Sequence, residues 1–272
     1  MQYHIISGHV IETRRCYMSA RGEVKKKRGT RVAGSSSERK IMLNERDSVK
    51  RLARILNTNY CDGLVFLTLK YSNDRLPSCF EDARAYIAKV MRSVKREYKK
   101  QSEHNLKAVV VTANYSPKHK RAARLHHHIV LPADISLDLL SKCWPEEEFH
   151  VRKMGRQKDL TYLAKYLLDN VQLDDAGKKK YTCTHGMEKP RYTEPVPVDQ
   201  IEDIEALPQT FVLEAEPTYN EDGLMVGAYM RSFAYSKPKV RGSMIILPKK
   251  KRGVKPDELC NEDMRGLLQE DE

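Results

Sequence analysis

Three consecutive histidines, His126-His127-His128, sit inside an apolar run from Leu125 to Leu131 that reads as a strand. Side chains alternate across a strand. His126 and His128 therefore share one face, close enough to chelate a single ion. His127 points to the other face with Leu125, Ile129 and Leu131. A pair at this spacing serves equally well as a structural or surface feature. Further on, Tyr162-Leu163-Ala164-Lys165-Tyr166 has helical spacing: the tyrosines fall one turn apart, with Lys165 three residues after Tyr162. Aromatics four residues apart commonly pack in a core, yet Leu163, Leu167 and Leu168 already supply an apolar face. A phenol, with a pKa near ~10, attacks only when a cation or an activated electrophile assists it. Lys165 is either that cation or a solvated helix lysine.

The elements that must hold these groups follow from periodicity. Tyr3 to Ile11 predicts a strand, and Val49, Leu52, Ile55 and Leu56 predict a helix from about Asn44 to Asn57. After the Asp62-Gly63 turn, Leu64 to Leu69 reads as a buried strand. The stripe Ala83, Tyr86, Ile87, Val90, Met91, Val94 and Tyr98 predicts a long amphipathic helix. Strands at Lys107 to Thr112 and Leu125 to Leu131 flank a basic loop, Ser116 to Arg121. A short helix (Ser136 to Cys143), a strand around Phe149 to Val151 and a helix from about Lys158 to Asp169 complete the run. From Leu64 the order β-α-β-β-α-β is that of the ferredoxin-like split βαβ fold, an antiparallel sheet with both helices on one face. The expected class is α+β. The other face is left open for a site, with the last helix beside it. Phe211 to Leu213 and Met225 to Phe233 predict further strands.

Charge narrows the partner. The 272 residues carry a net charge of +12, which points to a polyanion. From Tyr192 to Met230 there are nine acidic residues and no Lys or Arg, so a nucleic-acid surface is expected elsewhere. Lys25, Lys26, Lys27 and Arg28 form one basic cluster, and Lys118, Lys120, Arg121 and Arg124 another. Both are candidate DNA contacts. The apolar run Gly63 to Leu69 is far short of a membrane span, and Met1 to His4 opens no signal-peptide pattern. The six scattered cysteines contain no Cys-x-x-Cys and suit a reducing cytoplasm. The expected organisation is an N-terminal strand, basic arm and helix (1–58), a catalytic domain (59–190), an acidic extension able to pack on that core (191–247) and a charged, disordered tail (248–272).

Taken in order, the strand Phe66-Leu67-Thr68-Leu69-Lys70-Tyr71, the His-x-His strand and the Tyr-x-x-Lys-Tyr helix resemble the His-hydrophobic-His (HUH) endonucleases. Within them the chain is most similar to the rolling-circle replication initiators of phages and plasmids, over about Leu64 to Asn170. The resemblance implies a divalent metal, Mg²⁺ or Mn²⁺, held by His126 and His128. It implies Tyr162 as the nucleophile that cleaves DNA, leaving a 5′-phosphotyrosine and a 3′-OH that primes a host polymerase. Lys165 becomes its cationic companion, and Tyr166 a second nucleophile, as in members with paired tyrosines. The implied partners are single-stranded or origin DNA and the host polymerase and helicase, in a bacterial host's cytoplasm. The segment Tyr181 to Gly186, with Lys189-Pro190, is similar to one that follows the tyrosine helix in such proteins. There are two departures. His127 stands where a bulky hydrophobe is usual, although an imidazole can pack at a core edge. A third, carboxylate ligand is often found after a Val-Thr, but here the chain reads Val111-Thr112-Ala113-Asn114, with Asn114 the nearest oxygen donor. Relaxases and transposases share the chemistry. A non-catalytic, basic nucleic-acid-binding protein on the same sheet is the rival from another class.

Overall fold

The computed structural model describes residues 1–17, 38–144, 149–173, 179–201, 204–219 and 224–248. The basic cluster Lys25 to Arg28 and the tail beyond Pro248 lie outside the described residues. In chain order the elements begin with β1 (Gln2–Ser7), β2 (Val10–Cys16), α1 (Glu38–Tyr60), β3 (Leu64–Lys70) and α2 (Phe80–Gln101). Next come β4 (Val109–Ser116), β5 (Arg121–Pro132), α3 (Leu137–Cys143), β6 (Phe149–Met154) and α4 (Thr161–Asp169). The chain ends with β7 (Thr182–Cys183), β8 (Arg191–Tyr192), β9 (Thr210–Tyr219), β10 (Met225–Ala234), β11 (Lys239–Arg241) and β12 (Met244–Ile246). Two compact units result: Met1–Arg51 with Pro190–Arg252, and Leu52–Lys189.

The second unit carries the histidines. Its sheet has the order β6-β3-β5-β4-β7, and every neighbouring pair is antiparallel. The four strands from β3 to β6, with α2 and α3 between them, reproduce the split βαβ order that the sequence predicts. On the helix-covered face Val65, Leu67, Leu69, Ile129 and Leu131 pack with Ile87, Met91 and Val94 of α2 and Leu139 and Leu140 of α3. Burying each such side chain contributes about 1.5–3 kcal/mol. A one-residue slip would turn all of them to the opposite face, so the register of β3 and β5 is strongly fixed.

The opposite face is not open, and this corrects the sequence expectation. It presents Phe66, Thr68, Val111, His128 and Val130, and all five are buried. Three of them are apolar, so the face itself needs cover. The helix α4 supplies it: Leu163, Ala164 and Leu167 are fully buried, and the Tyr166 ring meets Phe66 edge-on at 6.1 Å. Tyr60, at the end of α1, is also buried and its hydroxyl donates to the Val130 carbonyl at 3.4 Å.

The first unit is a five-stranded antiparallel sheet of order β8-β1-β2-β10-β9, so the two ends of the chain share one sheet. The single strand predicted over Tyr3 to Ile11 is a hairpin, β1 to β2. Ser7 pairs with Val10, and Gly8 turns the chain with φ 62°, the left-handed conformation a two-residue loop needs at its first central position. Ile6, Ile11 and Ala234 form a small core with Val240 and Ile245. Among the described residues no helix is long and apolar enough to cross a membrane.

Candidate active site

Register places the histidine pair. His128 pairs across β3 with Thr68 and across β4 with Val111, while His126 lies opposite Lys70 and Ala113. The two Nε2 atoms are 3.2 Å apart. Each ring is fixed through its other nitrogen. His126 Nδ1 is 2.8 Å from the Arg124 carbonyl, which only accepts, so Nδ1 carries the proton and Nε2 keeps a lone pair. His128 Nδ1 is 3.1 Å from the Thr68 hydroxyl, a group able to donate or accept and so to serve either tautomer. Burial holds His128 well below the ordinary imidazole range, and the neighbouring His126, His127 and Lys70 reinforce the shift. The ring is neutral at physiological pH.

His127 is in the core rather than at its edge, with no exposed surface. Its two nitrogens are met by the Tyr71 hydroxyl (2.5 Å) and the Thr112 hydroxyl (3.1 Å), and Trp144 packs against the ring edge-on at 6.2 Å. A buried imidazole is tolerated only when both nitrogens are satisfied, and Tyr71 and Thr112 do this. Burial first, then His126, pushes its pKa down to about 3.

The tyrosine helix lies over the pair. The Tyr166 ring centroid is 5.4 Å from that of His128, and Tyr166 is only 6% exposed. Tyr162, one turn earlier, is 41% exposed. Lys165 is exposed and holds Asp169 one turn on at 2.5 Å.

Both ends of α4 are tied to other elements. At its start the buried Asn57 of α1 uses both ends of its amide: Oδ1 accepts from the Leu160 backbone N–H and Nδ2 donates to Asp159 Oδ1, each at 2.8 Å. The same Asp159 oxygen accepts from the backbone and hydroxyl of Thr161. At its end the Asn170 carbonyl accepts from the backbone of Asn114 and Tyr115. The Asn114 side chain donates to the Gln172 carbonyl and accepts from the Gln172 backbone N–H, both at 2.9 Å. Asn114 is therefore committed to the exit of α4, and the residue of β4 that faces His126 is Ala113. Among the described residues no third His, Cys, Asp or Glu joins the pair at ligand distance.

Sequence reasoning passed over four groups. Thr68 and Lys70 have the strand parity of His126 and His128, a signal already present in Phe66 to Lys70. Tyr71 and Asn57 carry no such signal, because only the tertiary fold brings them to His127 and to α4. Of the basic loop, Lys118, Lys120 and Arg121 are exposed at the β4–β5 turn, past the His126 end of the strands. Arg124 is tied back to the chain after β3, through the Asn73 side chain and the Tyr71 carbonyl.

The donor set suits a divalent cation. Two neutral imidazole Nε2 atoms converge, and each ring's second nitrogen is oriented by an oxygen, the usual support for ligating histidines. Residues 64–171, about two-fifths of the chain, match the family model described as replication-associated protein, of the ORF2 type. The match is consistent with a rolling-circle replication initiator and supports a role in replication initiation. No curated protein and no solved structure matches the chain.

Proposed function

We propose that this chain, with its replication-associated protein segment, is a site-specific, single-strand DNA nicking and joining enzyme that starts rolling-circle replication. The observation that carries the reading is the pair of convergent imidazoles, Nε2 to Nε2 3.2 Å, beneath a helix bearing two tyrosines. His126 and His128 would hold Mg²⁺ or Mn²⁺, completed by oxygen ligands from DNA or solvent. When bound, the ion would polarise a non-bridging oxygen of the scissile phosphate.

The rest falls to the chain's own residues. Tyr162, whose ring is reachable from solvent, attacks phosphorus through its phenolic oxygen. A bond forms between that oxygen and phosphorus, and the bond from phosphorus to the 3′ oxygen breaks. The products are a 5′-phosphotyrosine and a free 3′-OH that a host polymerase extends, with a host helicase opening the duplex. Lys165 supplies positive charge beside the phenolate. Asn57 and Asn114 hold α4 so that the attack stays in line, where about an ångström of misplacement costs on the order of a hundredfold in rate. Tyr166, buried against His128, is the second nucleophile and acts when strand transfer ends a round. The phosphotyrosine ester conserves the bond energy for that joining step.

The test is incubation of purified protein with labelled single-stranded origin DNA and Mn²⁺. A covalent protein–DNA adduct supports the reading. Tight binding without an adduct under any divalent ion would leave a non-catalytic binder. The host cytoplasm is the compartment this chemistry requires, since the 3′-OH must meet a polymerase.

A further inference from the structure

On the helix-covered side of the second unit, a groove of about 460 Å³ runs between α2 and the segment Lys180–Thr184. It lies on the opposite side of the sheet from the histidine pair. Its floor is apolar, formed by Ile87, Met91 and Val110, with the Thr112 hydroxyl among them. Its rim is cationic: Arg84, Arg92 and Lys95 project from one stripe of α2, and Lys180 stands across from them. Two aromatic side chains, Phe80 and Tyr181, close the sides. None of the lining residues is acidic, although Asp and Glu make up 37 of the 272 residues. Small residues keep it open, since Ala85 and Ala88 occupy the α2 positions where longer side chains would fill it.

We infer that this groove binds a single strand of nucleic acid, base by base on the apolar floor and phosphate by phosphate along the basic rim. The lining favours a strand over other anions for two reasons. A phosphate alone would leave the apolar floor without a partner. A protein partner with an acidic surface would leave two ring faces unstacked. A strand satisfies both, because base–aromatic stacking and a positive groove are the two terms that hold single strands without sequence preference. The Arg84 guanidinium already lies 5.9 Å from the Phe80 ring centroid, a flat cation beside a flat ring, onto which a base can add. Lys180 also reaches the Leu168 carbonyl at 3.4 Å, which fixes that side of the rim to the end of α4. The Thr112 hydroxyl in the floor is bonded to His127 Nδ1, so the groove and the histidine pair use opposite faces of the same strands.

This inference rests on the DNA partner of the proposed function and not on its chemistry, so the two can fail separately. The probe is fluorescein-labelled oligo-dT without metal, followed by fluorescence anisotropy, which needs neither origin nor cleavage. The double variant Arg92→Glu/Lys95→Glu changes two exposed positions of α2 and leaves the core intact. It is expected to weaken binding by about tenfold or more and to lower the slope of log affinity against log salt by about 1.4. Tyr181→Ala is expected to cost about fivefold or more through lost stacking. In the full-length wild type, a 4-thiothymidine oligonucleotide is expected to crosslink to the peptide containing Tyr181. The control is Lys99→Glu/Lys100→Glu on the same helix outside the groove. An equal loss there would show that only net charge matters and would overturn the inference, as would crosslinks that avoid both Tyr181 and Phe80. Groove binding that persists while no phosphotyrosine adduct forms would remove the nicking reading alone. Adduct formation with oligo-dT binding indifferent to Arg92→Glu/Lys95→Glu would remove this one alone.

Discussion

Asn57 and Leu160 are joined by a 2.8 Å hydrogen bond from the Leu160 backbone N–H to the Asn57 side-chain oxygen, across 103 residues of sequence. The bond satisfies one of the amides that every helix leaves unpaired at its start. It also fixes where α4 begins, and hence where Tyr162 stands.

Asn57→Ala should therefore loosen α4 without touching DNA. The Leu160 amide and Asp159 lose buried partners, which costs about 1–3 kcal/mol of stability. At a temperature where the variant is folded, adduct formation should slow by about tenfold to a hundredfold, with the affinity for uncleaved single-stranded DNA unchanged. Single-turnover kinetics beside a binding titration separates the two. An affinity loss equal to the rate loss would mean that Asn57 does not act through the tyrosine helix.

His126→Ala and His128→Ala should each eliminate the adduct and leave most DNA affinity, because phosphate contacts from Lys and Arg dominate binding. His127→Leu should keep nicking and lose stability, by about 1–3 kcal/mol, since the Tyr71 and Thr112 hydroxyls are left unpaired in the core. Chemical unfolding and a nicking assay on the same three preparations give the pattern. Inactive His127→Leu with active His126→Ala would invert the strand parity.

The initial adduct should be on Tyr162. Tyr162→Phe should lose it, whereas Tyr166→Phe should still form it, keep the packing against His128, and fail in strand transfer. Peptide mapping by mass spectrometry reads the site directly, and nucleotide found on Tyr166 alone would reverse the assignment.

The metal-free protein should lose stability as pH falls below about 6.5, the ordinary pKa of histidine in an unfolded chain. Folded His127 titrates only at about 3. Between those values the unfolded chain takes up a proton that the folded chain refuses, so acid favours unfolding. The contribution is complete above about pH 6.5 and declines by up to about 1.4 kcal/mol per pH unit for this residue. His128, shifted the same way, adds to it. Urea unfolding in EDTA from about pH 7 to about pH 5 should show the slope, and His127→Leu should reduce it by about one proton. An unchanged slope would place the uptake elsewhere.

Neutralising Lys118, Lys120 and Arg121 together, all exposed at the β4–β5 turn, should lower the salt slope of single-strand binding by roughly two units. Titrations at several salt concentrations give the slope. No change would make the turn a bystander.

The sheet and the chelating pair were legible in the sequence because both depend on alternation, a property of one strand at a time. The β3 run Leu64 to Lys70 and the parity of His126 and His128 needed no tertiary information. The cover over the second face was harder to read. Helix α4 has mostly apolar residues on several sides, and nothing local says which sheet face Leu163 and Leu167 will bury. The role of Asn114 was hidden for a different reason. A bulge between Ala113 and Tyr115 breaks the alternation at that point, so parity counted from Thr112 no longer applies. The N-terminal hairpin turned on one residue, Gly8, inside what otherwise reads as a continuous strand.

The dependence of α4 on Asn57 sets the limits of any working fragment. The family match begins at residue 64, seven residues too late to include Asn57. A helix of nine residues is too short to persist in water on its own strength. A truncated protein starting at Leu64 would keep the histidines, the tyrosines and the loop between them, yet release the front of the helix that aims Tyr162. The smallest active piece begins inside α1, early enough to keep Leu52 and Leu56 buried beneath Asn57. The boundary drawn by sequence similarity and the boundary needed for catalysis are different places on the chain.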